Sequence, residues 1–333
     1  MRTVCDAPCM PIDPGILSIA PLLEKYAPPM DGSVPVAEVR RRTNLAQDTS
    51  SSLPFEMVVA VGAVEDRTLD SPGGPLPVRI YRPETTGPVP TVVFFHGGGF
   101  VLANLNTHDG QVRHICRDAH AVVVSVDYRL APENPFPAAV EDCVWTTRWA
   151  ADNIADLGAD PAALAVAGDS AGGNLAAVVA QQCHDAGLAL VAQLLIYPVV
   201  DLRDEAADLY PSIREHAEDG ILLTEASMRW FHASYAPTHA VQTDVRCSPL
   251  LADDLTGLPA AIIATAEYDP LRDEGEVYAR RLRDAGVPVE LRRYDGLTHG
   301  FFGMGLISPA SAAAAAELCA LFRDALRRDP VDA

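Results

Sequence analysis

The segment Gly168-Asp169-Ser170-Ala171-Gly172 places a serine between two glycines. It follows a short apolar run at 164–167 and opens a helix-forming stretch at Ala171. In a strand–turn–helix setting this pattern is a nucleophile elbow. The turn is too tight for side chains at the glycines, the serine backbone is strained, and the following helix aims free N–H groups at the serine oxygen. A serine hydroxyl needs a base, and the base needs an orienting carboxylate. In this kind of elbow both follow the serine, acid first.

Five histidines follow Ser170: His184, His216, His232, His239 and His299. His184 falls in the helix after the elbow, and the next three fall in a long insertion. His299 lies just past the last apolar strand, in Tyr294-Asp295-Gly296-Leu297-Thr298-His299-Gly300-Phe301. That is the carboxyl edge of the sheet, where α/β proteins bind ligands. His299 is the expected base. Glu267, Asp269 and Asp273 follow the apolar run at 260–264. Asp269 is favoured because Pro270 pins it at the loop tip, and Glu267 is the alternative. Asp273 and Glu274 read as first-turn acids that complement the dipole of the next helix.

A second pattern, His96-Gly97-Gly98-Gly99-Phe100, begins where the apolar run at 90–95 ends. Consecutive glycines leave backbone N–H groups uncovered. Two of these, with that of Ala171, would hold the alkoxide of a tetrahedral intermediate. His96 is expected to fix this loop, Gly97 included, by a hydrogen bond rather than to act as base. Asp169 precedes the serine and reads as a loop brace.

These residues need a frame. Runs at 90–95, 121–126, 164–167, 193–196, 260–264 and 289–293 are solidly apolar, as in strands buried on both faces. Helical stretches at 108–119, 138–153, 171–186, 272–285 and 310–328 alternate with them, which predicts a doubly wound α/β sheet. Alternating segments at 58–69 and 76–81, joined by Ser71-Pro72-Gly73-Gly74-Pro75, predict an antiparallel pair at its start. Short helices are expected at 16–26 and 36–43, and a polar turn at 47–54. About 60 residues separate Ile196 from Ala260, too many for one crossover. The helix-like spacing over 205–235, with Trp230 and Phe231, predicts an insertion lying over the sheet.

The chain has 333 residues, with 45 acidic against 25 Lys/Arg, for a net charge of −20. This argues against nucleic acid or an anionic membrane surface as partner. No apolar run reaches 18 residues, so no transmembrane helix is expected. The start lacks the apolar core of a secretory signal. Seven scattered cysteines suit a reduced cytoplasmic protein better than a disulfide framework. Cys5 and Cys9 lack a second Cys/His pair at zinc-finger spacing, so no metal is expected.

With these residues in place the chain resembles the hormone-sensitive lipase family of α/β-hydrolase esterases, in its bacterial branch with a Gly-Asp-Ser-Ala-Gly elbow. The resemblance spans about residues 75–325. It rests on His96–Phe100, Asp127-Tyr128-Arg129-Leu130-Ala131-Pro132-Glu133, Gly168–Asn174, Tyr197-Pro198, Asp269-Pro270-Leu271-Arg272-Asp273-Glu274-Gly275 and His299-Gly300-Phe301. Phe100 stands where many relatives carry Trp. The resemblance implies Ser170, Asp269 and His299 as triad, with Gly98, Gly99 and Ala171 as oxyanion donors. It implies an α/β-hydrolase fold, with a mostly parallel sheet of about eight strands. It also implies a helical cap from residues 1–55 and 201–245 over a core of 56–200 and 246–333. Tyr128, Arg129 and Glu133 are expected to form a buried brace beneath the glycine loop. The implied reaction is hydrolysis of short- to medium-chain acyl esters, with no cofactor. Amide, lactone or small-peptide hydrolysis by the same triad is the alternative, and a non-catalytic binding role a further one. The last strand, 289–293, could pair two copies as a homodimer.

Overall fold

The apolar runs become an eight-stranded sheet in the computed structural model, which describes residues 11–47, 57–85, 87–216 and 221–327. Cys5, Cys9 and nearly all of the turn expected at 47–54 lie outside the described residues. The strands are β1 (Ala63–Ser71), β2 (Gly74–Arg82), β3 (Thr91–Phe95), β4 (Val122–Val126), β5 (Leu164–Asp169), β6 (Ala192–Ile196), β7 (Ala260–Tyr268) and β8 (Val289–Thr298). Their order is β1-β2-β4-β3-β5-β6-β7-β8. The β1–β2 and β2–β4 pairs are antiparallel and all others parallel. The antiparallel start is as expected, although β1 begins at Ala63 rather than at residue 58.

The helices described are α1 (Pro14–Tyr26), α2 (Val36–Gln47), α3 (Asp109–Asp118), α4 (Ala138–Asp152), α5 (Ala171–Asp185), α6 (Ala206–Leu209), α7 (Pro211–Glu215), α8 (Glu225–Tyr235), α9 (His239–Gln242), α10 (Arg272–Asp284) and α11 (Pro309–Leu326). Successive strand side chains point to opposite faces, so each central strand feeds two cores. Val92, Phe94, Ala165 and Ala167 pack with Ile115 of α3 and Leu318 and Phe322 of α11. Val93, Phe95 and Val166 pack with Cys143 of α4, Leu175 of α5 and Tyr278 of α10. Burial on both faces explains why these strands are apolar throughout.

The insertion between β6 and β7 holds α6 to α9 among the described residues. Tyr210 is extended before Pro211, which separates α6 from α7. A Thr224/Ser227 capping box starts α8. The helix α2 is tied to the core by Arg40, which donates to the carbonyls of Val101 and Ala131 and to the Glu133 carboxylate.

Three local expectations need correction. First, β7 and β8 outrun their apolar cores by several residues. Their register jumps from Ala266 opposite Tyr294 to Tyr268 opposite Thr298, so β8 bulges around Gly296, whose φ is +73°. His299 therefore leaves the end of a strand directly rather than hanging on a loop. Second, of the expected brace only Tyr128 is buried beneath the glycine loop, donating its hydroxyl to the His96 carbonyl at 2.7 Å. Arg129 pairs instead with the buried Asp142, and Glu133 is an exposed partner of Arg40. Third, Glu274 is not a surface acid serving a dipole. It is fully buried and accepts the Val200 N–H at 2.7 Å. Burial holds its carboxyl well above the ordinary range.

Phe322 is fully buried between α11 and the sheet. Phe322→Ala is expected to lower unfolding free energy by about 3–5 kcal/mol, read as a lower urea midpoint at unchanged slope.

Candidate active site

The strand β5 enters the elbow and α5 leaves it. Between them Ser170 takes φ +55°, a conformation that costs an L-residue about 1–3 kcal/mol. Its neighbours hold it there. The Ser170 N–H donates to the Ile196 carbonyl at 2.8 Å, and its own carbonyl accepts from Asn174 at 3.1 Å. A Cβ on Gly172 would collide with the Phe95 carbonyl, so only glycine lets α5 start this close to β3.

The expected acid and base converge on this serine. The Nε2 of His299 lies 3.0 Å from Ser170 Oγ, and its Nδ1 lies 2.8 Å from Asp269 Oδ2. A carboxylate only accepts, so the ring proton sits on Nδ1 and leaves Nε2 bare to accept the serine proton. Asp269 is fully buried, and its Oδ1 accepts the Leu271 N–H at 2.9 Å. The Tyr197 ring packs 4.7 Å from the His299 ring and limits its swing.

The alternative acids have other partners. Glu267 Oε2 accepts the Gly296 N–H at 2.7 Å, which fastens the β8 bulge. Asp273 Oδ2 accepts the Ser212 N–H. The other histidines stand elsewhere. His184 touches Gly257, His216 packs on Tyr268, His232 lies within α8, and His239 is exposed.

The glycine loop sits beside the elbow. Among the described residues no partner takes the amide N–H of Gly98, Gly99 or Ala171. Those are the three donors the resemblance implies. The Phe231 ring of α8 lies flat against Gly99, where any Cβ would fall inside it. Leu222 covers Gly300 beside His299, and Tyr235 stacks on Phe100 at 3.9 Å. The insertion thus roofs the loop with apolar side chains, which keeps water away from a developing charge.

Beneath the loop lies a buried polar cluster. His96 donates from Nδ1 to the Gly97 carbonyl at 2.7 Å and stacks on Tyr128. Burial, then repulsion from His108, pushes its pKa down to about 3. This neutral ring ties itself to the loop through Gly97. Asp169 Oδ1 accepts the Gly97 N–H at 2.9 Å and meets His108 Nε2 at 3.3 Å. Burial alone would raise the Asp169 carboxyl, but His108 and the Gly97 N–H outweigh it and hold it below the usual range. His108 has no marker in the sequence, because it reaches Asp169 only through the tertiary fold. A cavity of about 400 Å³ lined by His120, Asp160 and Arg323 lies at the opposite end of the sheet, remote from Ser170. No group of three or more His, Cys, Asp or Glu suited to a metal occurs among the described residues. No described helix is long and apolar enough to cross a membrane.

This strand order and strained elbow define an α/β hydrolase. Residues 92–303 match the family model described as alpha/beta hydrolase fold, and the chain belongs to that family, in the hormone-sensitive lipase branch whose motifs it carries. It is 46% identical over 272 residues to the carboxylic ester hydrolase LipN of Mycobacterium tuberculosis, covering 80% of this chain and 71% of that protein. It is 40% identical over 241 residues to an ethyl acetate hydrolase of Pseudomonas putida, covering 71% and 74%. The solved structure of an esterase from Pyrobaculum calidifontis superposes with a TM-score of 0.86 at 40% identity, covering 95% of this chain and 99% of that one.

The depressed His96 pKa has a consequence for acid stability. Its folded value of about 3 lies below the ordinary 6.5, so the unfolded chain binds the extra proton between those values. This contribution to stability is full above about pH 6.5 and is lost as pH falls toward 3. Nitrogen NMR is expected to show His96 still neutral at pH 5, where an ordinary histidine is mostly charged.

Proposed function

We propose that this protein is a serine carboxylesterase acting on short- to medium-chain acyl esters. The observation that carries the reading is the continuous Ser170–His299–Asp269 chain, at 3.0 and 2.8 Å, beside three amide N–H groups without partners among the described residues. Ser170 Oγ attacks the ester carbonyl and gives its proton to His299 Nε2. The oxyanion enters the space facing the N–H groups of Gly98, Gly99 and Ala171, where one such donor is worth about 2.7–4 kcal/mol. Asp269 stabilises the imidazolium. His299 then protonates the leaving alcohol, and an acyl-Ser170 ester remains. Water, deprotonated by His299, attacks that ester and releases the acid and the free serine. This chemistry needs no metal or organic cofactor.

The relatives' names support esters over amides or lactones, and the ethyl acetate hydrolase supports small ones. In this reading α1, α2 and α6 to α9 form the cap, and the remainder is the catalytic core. The reading also includes a cytoplasmic location, which the five free cysteines among the described residues suit. It includes a homodimer paired along β8, the last strand of the sheet. Light scattering tests that pairing, and a monomeric mass would refute it.

Initial rates on p-nitrophenyl esters from acetate to palmitate test the central claim. Wild type is expected to peak at short or medium chains. Folded Ser170→Ala is expected to lose about 10⁴-fold or more in kcat. Hydrolysis by that variant at the wild-type rate would overturn the assignment.

A further inference from the structure

Resting on that reading, we propose that Ser212, in the cap helix α7, is a positioning residue for the catalytic acid Asp269. The leading N–H groups of a helix have no partner within it and need acceptors from outside. The residue at the cap position of α10 is Leu271, which has no side-chain acceptor to offer. Its own N–H is taken by Asp269 Oδ1 at 2.9 Å. The Asp273 N–H is taken by a residue far away in sequence, the hydroxyl of Ser212, at 3.2 Å.

That one hydroxyl closes the turn from both sides. While accepting from Asp273, Ser212 Oγ donates to the Pro270 carbonyl at 2.7 Å. The Ser212 N–H donates in return to Asp273 Oδ2 at 2.8 Å. Arg272 adds a second tie, reaching Glu215 of α7 at 2.8 Å and the Glu267 carbonyl at 2.9 Å. Pro270, Arg272 and Asp273 are therefore each tied to α7.

Asp269 sits on this turn. Its Oδ1 is bound to the turn's own Leu271 N–H, and its Oδ2 faces His299. The carboxylate plane therefore follows the turn. Ser212 is fully buried, so water cannot replace its hydroxyl without rearrangement. Without that hydroxyl the Asp273 N–H and Pro270 carbonyl stand unpaired in the interior. An unpaired buried polar group is costly enough for the turn to shift and repair it. Any such shift rotates Asp269 away from His299 Nδ1. The cap thus does more than cover the substrate: its seating completes the triad.

The test compares Ser212→Ala, Asp273→Ala and Asp273→Asn with wild type. Asp273 is partly exposed, so its variants keep the test open even if Ser212→Ala fails to fold. Asparagine retains a carbonyl oxygen for the Ser212 N–H, and alanine does not. Thermal midpoints establish folding. On p-nitrophenyl butyrate, Ser212→Ala and Asp273→Ala are expected to lose between about 10- and 100-fold in kcat, with KM nearly unchanged. Asp273→Asn is expected to recover most of the rate. Proton NMR supplies a readout independent of turnover, the downfield His299 Nδ1–H resonance of the bond to Asp269. It is expected to move upfield in the two alanine variants and to stay in place in Asp273→Asn. An unmoved resonance in every alanine variant that folds overturns the proposal, as does a higher KM at unchanged kcat. Absence of Ser170-dependent turnover in wild type would sink the esterase reading instead, and the resonance would still judge Ser212.

Discussion

A serine held at φ +55° between a parallel strand and a helix is the constraint on which the rest of this structure depends. The strain is tolerable only because surrounding backbone determines the turn several times over. Ile196 at the end of β6 accepts the Ser170 N–H, and Asn174 donates to its carbonyl. Gly172 lets the helix start in contact with β3. Each of these requires the central strands to be adjacent and in register, which the two apolar cores enforce. The core thereby holds the strained turn in place, so that one half-buried hydroxyl points in a fixed direction toward His299.

The polar groups near that hydroxyl follow a second rule. Most buried donors and acceptors are paired. His96, Tyr128, Asp169 and His108 pair with the glycine loop or with one another beneath it. The loop is thereby fixed from below, while the N–H groups of Gly98 and Gly99 find no partner among the described residues. A rigid loop with free donors costs nothing to reorganise when charge develops, which is the basis of oxyanion stabilisation. Asp169 illustrates how environment decides role. It is adjacent to the nucleophile, yet its carboxylate is committed to the loop.

The elements outside the sheet contribute through contacts of two kinds. Apolar ones, Phe231 on Gly99 and Leu222 on Gly300, roof the space above the reacting atoms. Polar ones, Arg40 to Val101 and Ala131 and Ser212 to the 269–273 turn, hold the segments next to the glycine loop and around Asp269. Both loops at the site are thus tied to elements outside the sheet.

What the sequence determined by itself is the short-range chemistry. The elbow, the glycine run, the order of Ser170, Asp269 and His299, and the alternation of buried strands and helices are legible because each depends on a few consecutive residues. Glycine is required where backbone approaches backbone, and apolar runs where both faces of a strand are covered. The tertiary structure alone decided which polar residues met. Glu274 reads as an ordinary first-turn acid, and only packing against Val200 buries it. His108 carries no motif, and only the fold places it on Asp169. Ser212 belongs to no motif of the insertion, and only docking of α7 makes it the cap of a helix about 60 residues on. The lengths of β7 and β8 were likewise hidden, since Glu267 in one and Asp295 and Gly296 in the other interrupt the apolar pattern before each strand ends. Side-chain hydrogen bonds between distant segments leave no periodic trace, because the partner that satisfies each group is chosen by where the chain folds and not by what lies beside it.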